Sequence, residues 1–330
     1  MAAINTTEIV YNDGLYLPAL DLWCDAKVPR PRCVVSHGHS DHIEAHGEII
    51  ATPETARILA HRLAAFTGEA HLLPYGESLD LPASPGVPPA RVTFYPAGHC
   101  LGAAQTLVEV GNTRICYTGD FKLRPNVAAE TGVIVPCDLL VMECTFGEPR
   151  YAFPPDAQIH ADLQSEIEAA YAAGEVPVVL GYALGKGQEA LHLLTGWGYP
   201  VMCHGSTYNL AQLYEACGVQ FPGPYSRYVR GEVADNVLLA PPSVRKHAML
   251  RALVPVRTIL LTGWALHPGA FNIYRDVSRV LPLSDHADYP DLLRTVTESG
   301  AKTVYTVHGG AKFAADLQAR GVDARVLATQ

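Results

Sequence analysis

The stretch Arg32-Cys33-Val34-Val35-Ser36-His37-Gly38-His39-Ser40-Asp41-His42 decides how the rest of the chain is read. Its first half has the β-branched, apolar character of a short buried strand. Its second half places three imidazoles and a carboxylate within six residues, in the pattern HxHxDH. So many polar side chains directly after a buried strand cannot all be satisfied as hydrogen-bonded core groups. On a strand-to-loop turn, His37 and His39 can face one way while Asp41 and His42 face another. That arrangement serves two adjacent cations. Imidazole and carboxylate donors together suit Zn²⁺, with Mn²⁺ or Fe as alternatives.

Two cations need more ligands than four, and the chain supplies further ones at strand ends. Arg91–Tyr95 reads as a strand that runs into Ala97-Gly98-His99. Gln105–Val110 and Arg114–Tyr117 flank Gly111-Asn112 as a hairpin, and the second strand runs into Thr118-Gly119-Asp120. A glycine before each polar residue permits a tight turn that aims one side chain into a site. Asp120 is the natural bridging carboxylate. Other elements follow the same logic. Ile9–Leu17 reads as a hairpin, Thr52-Pro53 opens a helix with Ile58, Leu59, Leu63 and Phe66 on its apolar face, and Asp138–Met142 is a strand ending at Glu143. Beyond about Asp156 strands and helices alternate. A helix is expected over Ala157–Ala173 and another from Gly185-Lys186-Gly187 through Leu194. Strands are expected at Val176–Leu180, Pro200–Cys203, Val237–Ala240 and Thr258–Leu261, which is an α/β pattern. A helix over Tyr289–Glu298 and the strand Thr303–Val307 lead to His308.

Composition sets the bounds. The chain has 330 residues, 48% hydrophobic and 17% charged, with a mean hydropathy of +0.09. That excludes an intrinsically disordered chain and allows two domains. No apolar run approaches a membrane span, and no signal peptide is expected, so a cytoplasmic protein without membrane contact is anticipated. Eight cysteines without a CxxC pair read as core residues in a reducing compartment. The fourteen histidines point to metal. The net charge of −9 argues against a non-specific nucleic-acid binder. Yet Arg227–Arg279 holds eight Lys or Arg against three Asp or Glu. There Trp264, Tyr225, Tyr228 and Phe271, with Arg227, Arg230, Arg245 and Lys246, are candidates for a single-strand groove. His46, His61, His160 and His247 are expected at the surface or in loops. Ser206 or Thr207 is expected to cap a helix.

HxHxDH, then Gly98-His99, then Gly119-Asp120 resembles the metallo-β-lactamase superfamily, whose αββα sandwich holds two metals at its edge. Leu140–Gly147, Ser284-Asp285-His286-Ala287-Asp288-Tyr289 and Thr306-Val307-His308-Gly309 resemble three motifs of its β-CASP nucleases, which cleave DNA or RNA. The compact length, Gly14-Leu15-Tyr16, Ala183–Lys186 and Leu283–Asp288 are most similar to bacterial DNA-ligase-associated exonucleases, relatives of the Artemis-type repair nucleases. The resemblance implies a metallo-β-lactamase core over 1–161 and 281–330, with a β-CASP domain inserted over 162–280. It implies that His37, His39 and His99 hold one metal, and Asp41, His42 and His308 the other, with Asp120 between them. Asp25 would orient the ligand loop, with Asp21 as its competitor. Lys186 and Tyr182 would seat a 5′-phosphate.

Cleaving a phosphodiester needs cations to offset its charge and an acid for the leaving oxygen. His286, which the resemblance pairs with Glu143, is the candidate acid, because a carboxylate neighbour favours imidazolium. The expected catalytic residues are therefore Asp41, Glu143 and His286. The expected function is a metal-dependent exonuclease on single-stranded DNA in repair, with a functional association with a DNA ligase. The alternative substrate is RNA, as for RNase J and the mRNA 3′-end endonucleases. A lactonase-type hydrolase or a non-catalytic scaffold fits less well, since the large insertion and a full ligand set are both present.

Overall fold

The computed structural model describes residues 7–63, 68–82, 86–253 and 255–327, so Phe66 lies outside the described residues. The chain forms two compact units. Unit 1 comprises 1–125, 130–149 and 286–330; unit 2 comprises 126–129 and 150–285.

Unit 1 opens with strands β1 (Val10–Tyr11), β2 (Leu15–Leu17), β3 (Leu22–Cys24), β4 (Arg32–Val34), β5 (Glu48–Ala51) and, after helix α1 (Pro53–Arg62), β6 (Glu69–Leu72). They pair in sequence order as one sheet, antiparallel through β3 and parallel from there. Strands β7 (Ser78–Asp80), β8 (Ala90–Pro96), β9 (Ala104–Val110), β10 (Thr113–Tyr117) and β11 (Leu139–Glu143) build most of a second sheet. Unit 2 follows with α2 (Asp156–Ala172), β12 (Val176–Leu180), α3 (Lys186–Gly196), β13 (Val201–Cys203), α4 (Gly205–Ala216), β14 (Tyr225–Arg227) and β15 (Val237–Ala240). It ends with α5 (Ala248–Arg251), β16 (Val256–Leu261), α6 (Ala270–Ile273) and β17 (Arg279–Leu281). The chain then returns to unit 1 with α7 (Tyr289–Ser299), β18 (Thr303–Val307), α8 (Ala311–Ala319) and β19 (Asp323–Val326). The second sheet runs β19-β18-β11-β10-β9-β8-β7.

The two sheets of unit 1 close on one apolar core. Leu15, Leu22, Val34 and Ile50 from the first meet Val92, Phe94, Val108, Ile115 and Val141 from the second. Neighbours of opposite parity serve the other face: Val35, Ile49 and Ala51 pack with Leu59 of α1. Because both faces are covered, these strands read as continuous apolar runs rather than alternating ones. With α8 against β18 and β19 outside the second sheet, the layers are helix, sheet, sheet, helix. This is the expected αββα sandwich.

In unit 2 the sheet order is β14-β13-β15-β12-β16-β17, with all pairs parallel. Val179, Leu239 and Ile259 face α2, α3 and α4, while Val178, Leu238 and Leu260 face the opposite core. The unit begins at 150, not 162, because α2 buries Ile159, Leu163 and Ile167 against the parallel sheet; it ends at 285, not 280. Among the described residues no helix is long and apolar enough to cross a membrane. All eight cysteines are free thiols, seven of them buried.

Candidate metal centre

Strands β8, β10, β11 and β18 run in one direction, so their carboxyl ends lie along one edge of the second sheet. Open α/β sheets use such edges for ligands, since strand ends deliver side chains beyond the hydrogen-bonded ladder. His99 follows β8, Asp120 follows β10, Glu143 ends β11 and His308 follows β18. From the first sheet, β4 delivers His37, His39 and His42. Two backbone positions force these turns. Gly119 lies at φ +54, where a Cβ would meet Ser36 Oγ at 2.7 Å, and at Gly98 (φ +79) a Cβ would run into the Lys122 carbonyl oxygen. Asp25 and His308 themselves adopt left-handed backbone, at φ 49 and 54. Such strain persists where the surroundings over-determine it, commonly at functional sites.

The side chains converge on Asp120. Its Oδ2 lies 3.5 Å from His42 Nε2, 3.7 Å from His37 Nε2 and 3.9 Å from His99 Nε2. Single donor atoms of His37, His39, His99 and Asp120 fall within 4.8 Å of one another, and so do those of His42, Asp120 and His308. Asp41, two-thirds exposed, has Oδ2 3.8 Å from His42 Nε2. Behind the ring stands Asp25, buried, which accepts from Ser36 N at 2.7 Å, Ser36 Oγ at 2.6 Å and Tyr117 OH at 2.9 Å. Its Oδ2 also meets His42 Nδ1 at 2.9 Å. Burial pushes the Asp25 carboxyl up, but the His42 charge and these donors hold it below the usual range. Burial likewise opposes charge on His42, yet the Asp120 and Asp25 carboxylates raise it to about 9. Burial raises Asp120 to about 6. Tyr11, with its hydroxyl 3.0 Å from His308 Nε2, is pushed up to about 12 by burial and by the nearby carboxylates of Asp25, Asp120 and Asp41.

Glu143, fully buried, accepts from Phe121 N at 3.0 Å and meets His286 Nδ1 at 2.8 Å through the same oxygen. Burial disfavours its charge, but His286 outweighs that and holds its pKa low. The His286 loop is anchored alongside, where Ala287 N donates to Phe121 O and Arg124 holds Asp288 at 2.7 Å.

Residues 26–181 match the model of the beta-lactamase superfamily domain, and 273–327 match that of the Zn-dependent metallo-hydrolase RNA specificity domain. A relative from Opitutus terrae described as a probable DNA ligase is 43% identical over 96% of this chain and 31% of its own length. Endoribonuclease ysh1 of Aspergillus fumigatus is 29% identical over 57% of this chain and 22% of its own. An RNase J-like protein of Methanocaldococcus jannaschii is 29% identical over 38% of this chain and 32% of its own. The chain belongs to the β-CASP nuclease group of the metallo-β-lactamase superfamily. It spans about a third or less of the length of each of these curated relatives. A crystal structure of an Enterococcus faecalis protein of unknown function shares the fold, with a TM-score of 0.56 at 15% identity, over 84% of this chain and 75% of that one.

The matched Zn-dependent metallo-hydrolase model implies a divalent metal, and the donor set here fits one. His37 Nε2 and His42 Nε2 are buried polar atoms without hydrogen-bond partners, while Nδ1 of each ring is tied to Ser36 or Asp25. Their 3.5–3.7 Å separation from Asp120 Oδ2 is the spacing of two donors sharing one ion at about 2.0–2.2 Å. Tying the second nitrogen is how metal-binding histidines are held.

Other expected positions fall elsewhere. Asp21 is exposed and accepts from Tyr16 OH, whereas Asp25 is the carboxylate bonded to Ser36 and His42 of the ligand loop. Lys186 is buried in unit 2, its Nζ 2.8 Å from Asp285, while Tyr182 is exposed. His46 lies in the loop before β5, as expected, and is buried there, with Nδ1 accepting from Arg30 N at 3.2 Å. The cap of α4 is His204, which accepts from Ser206 N; Ser206 and Thr207 lie inside the helix, because the turn begins at Gly205. Within the basic segment Trp264 and Phe271 are exposed, whereas Tyr225 and Tyr228 pack against the two cores. Arg245 is paired with Asp276. Sequence reasoning missed Tyr11 and Tyr117, whose roles come from contacts between distant strands, and Ser36, which serves Asp25 and His37 beside it. The Ser36 position next to the ligand cluster was the one available signal.

Proposed function

We propose that this protein is a two-metal exonuclease that hydrolyses phosphodiester bonds of single-stranded DNA from a 5′-phosphorylated end, in DNA repair. In this reading His37, His39 and His99 hold one ion, Asp41, His42 and His308 the other, and Asp120 reaches both. Divalent ions held there, Zn²⁺ by donor type, would supply charge to offset the phosphate and a lowered pKa for water near pH 7. The chain's own residues do the rest. Asp25 fixes the His42 ring with Nε2 toward Asp120. Glu143 takes the Nδ1 side of His286, which assigns proton delivery to the leaving 3′-oxygen to Nε2. Tyr182, which is exposed, is the candidate to seat a terminal phosphate, while Lys186 serves Asp285.

The observation that carries the DNA reading is the 43% identity, across nearly the whole chain, to a relative described as a probable DNA ligase. A unit that trims DNA ends suits a polypeptide that joins them. An RNA substrate is the second reading, favoured by the endoribonuclease relatives and the RNA specificity model over 273–327. Both are tested by one panel: single-stranded DNA and RNA with 5′-phosphate or 5′-hydroxyl ends, each with Zn²⁺ or Mn²⁺. Stepwise loss of mononucleotides from DNA is expected. Cleavage of RNA with DNA untouched would replace the first reading by the second.

A further inference from the structure

Three histidines around Asp120 have one ring nitrogen engaged by a hydroxyl or a carboxylate. For His37 the neighbour is Ser36 Oγ at 3.0 Å, and for His42 it is Asp25 Oδ2 at 2.9 Å. For His308 it is the hydroxyl of Tyr11, 3.0 Å from Nε2 and 297 residues away in the chain. The first two partners lie on or behind the ligand loop. Tyr11 comes from β1, the strand that opens the first sheet.

The backbone at His308 leaves little else to settle. It is left-handed at φ 54, and a Cβ on the next residue, Gly309, would collide with the Cys144 carbonyl oxygen and sulfur. The main chain is therefore fixed against β11, and the remaining freedom is the rotation of the imidazole. The Tyr11 ring stands edge-on to it, at 84° and 6.0 Å between centroids, and the His42 ring stacks on it at 20° and 5.2 Å. A stacked neighbour limits tilt, but only a directional bond fixes which ring edge turns inward.

We propose that Tyr11 is a positioning residue whose hydroxyl fixes the His308 ring and thereby sets the affinity of the ion shared by His42, Asp120 and His308. This rests on the two-ion reading above. It predicts an asymmetric defect, because the Tyr11 hydroxyl and ring both meet the imidazole of His308, a ligand of that ion alone in this reading.

The test uses the full chain loaded with Zn²⁺ and titrated with a chromogenic chelator, comparing wild type with Tyr11→Phe, Tyr16→Phe and His308→Ala. Tyr11→Phe removes the hydroxyl and keeps the ring. Wild type should release two ions per chain, and His308→Ala should lack or readily lose one. Tyr11→Phe should give up that same ion about tenfold or more easily, the range for losing an outer partner of a metal-binding histidine, and retain the other at wild-type affinity. Tyr16→Phe, whose hydroxyl serves exposed Asp21, should match wild type. Wild-type release from Tyr11→Phe overturns the proposal, as does equal weakening of both ions, which marks general loosening. If wild type holds one ion only, or His308→Ala holds two normally, the two-ion assignment fails and takes the proposal with it.

Discussion

Asp25→Asn isolates the role of the carboxylate behind the ligand loop. Through Oδ2, Asp25 serves Ser36 Oγ, Tyr117 OH and His42 Nδ1; through Oδ1 it serves Ser36 N. An amide keeps the Oδ1 bond. The two hydroxyls can turn and accept from the new NH₂ group, but a His42 Nδ1–H cannot. The energetic loss therefore centres on one buried charge-assisted hydrogen bond and the donor clash that replaces it, about 3 kcal/mol. For a unit of this size that lowers the midpoint of thermal unfolding by roughly 6–12 °C. The ring can escape the clash by accepting at Nδ1, which puts its proton on Nε2, the atom facing Asp120. The site then presents a donor where a ligand is needed, and metal affinity should fall about 10–100-fold. The Asp25 carboxyl is held below its ordinary value, so its contribution is complete above pH ~4 and fades as pH falls through the folded value. Asp25→Asn should therefore flatten the acid limb of the stability profile as well. Asp21→Asn, exposed, should change stability by no more than about 0.5 kcal/mol. Melting curves and chelator competition check both variants. Wild-type melting and metal retention in Asp25→Asn would refute the reasoning.

The other predictions concern the acid, the buried lysine and pH. His286→Gln should lower turnover about 10²–10⁴-fold with metal content unchanged, and full turnover would remove the acid role. Lys186→Ala breaks a pair in which both side chains are 3% exposed, so a loss of about 3–5 kcal/mol is expected, with equal loss of cleavage on 5′-phosphate and 5′-hydroxyl ends. A variant that melts normally but fails only on 5′-phosphate ends would return Lys186 to the phosphate. In the metal-free protein His42 is raised to about 9, so its stabilisation is complete below pH ~6.5 and is lost as pH rises through about 9. Near pH 7.5 it carries a proton that metal must displace from Nε2. Binding heats in two buffers of different ionisation enthalpy should reveal proton release, and identical heats would contradict that state.

What the sequence made legible is what is local. As candidates, His37, His39 and His42 stand out because the donors are crowded after one strand, and His99 and Asp120 because each follows a strand end; His308 stood out only through the family resemblance. The glycines before His99 and Asp120 matter for the reason the sequence suggests, with their absent Cβ atoms standing against Lys122 and Ser36. What depends on packing was not legible. His46 is a loop residue whose burial its sequence does not show, and Ser206 looks like a cap although His204 occupies that position. The boundary at 150 depends on which sheet α2 covers, which its own periodicity cannot state. Tyr11 and Tyr117 acquire their partners only when the two sheets of unit 1 are brought together.

The most direct measurement is the metal content of the purified chain after loading with Zn²⁺ or Mn²⁺ and removal of excess ion, for wild type and Asp120→Asn. Two ions per chain in wild type, and a marked loss in a folded Asp120→Asn, are expected. A wild-type protein that remains empty after loading, or an Asp120→Asn variant that retains both ions, would contradict a centre built around Asp120.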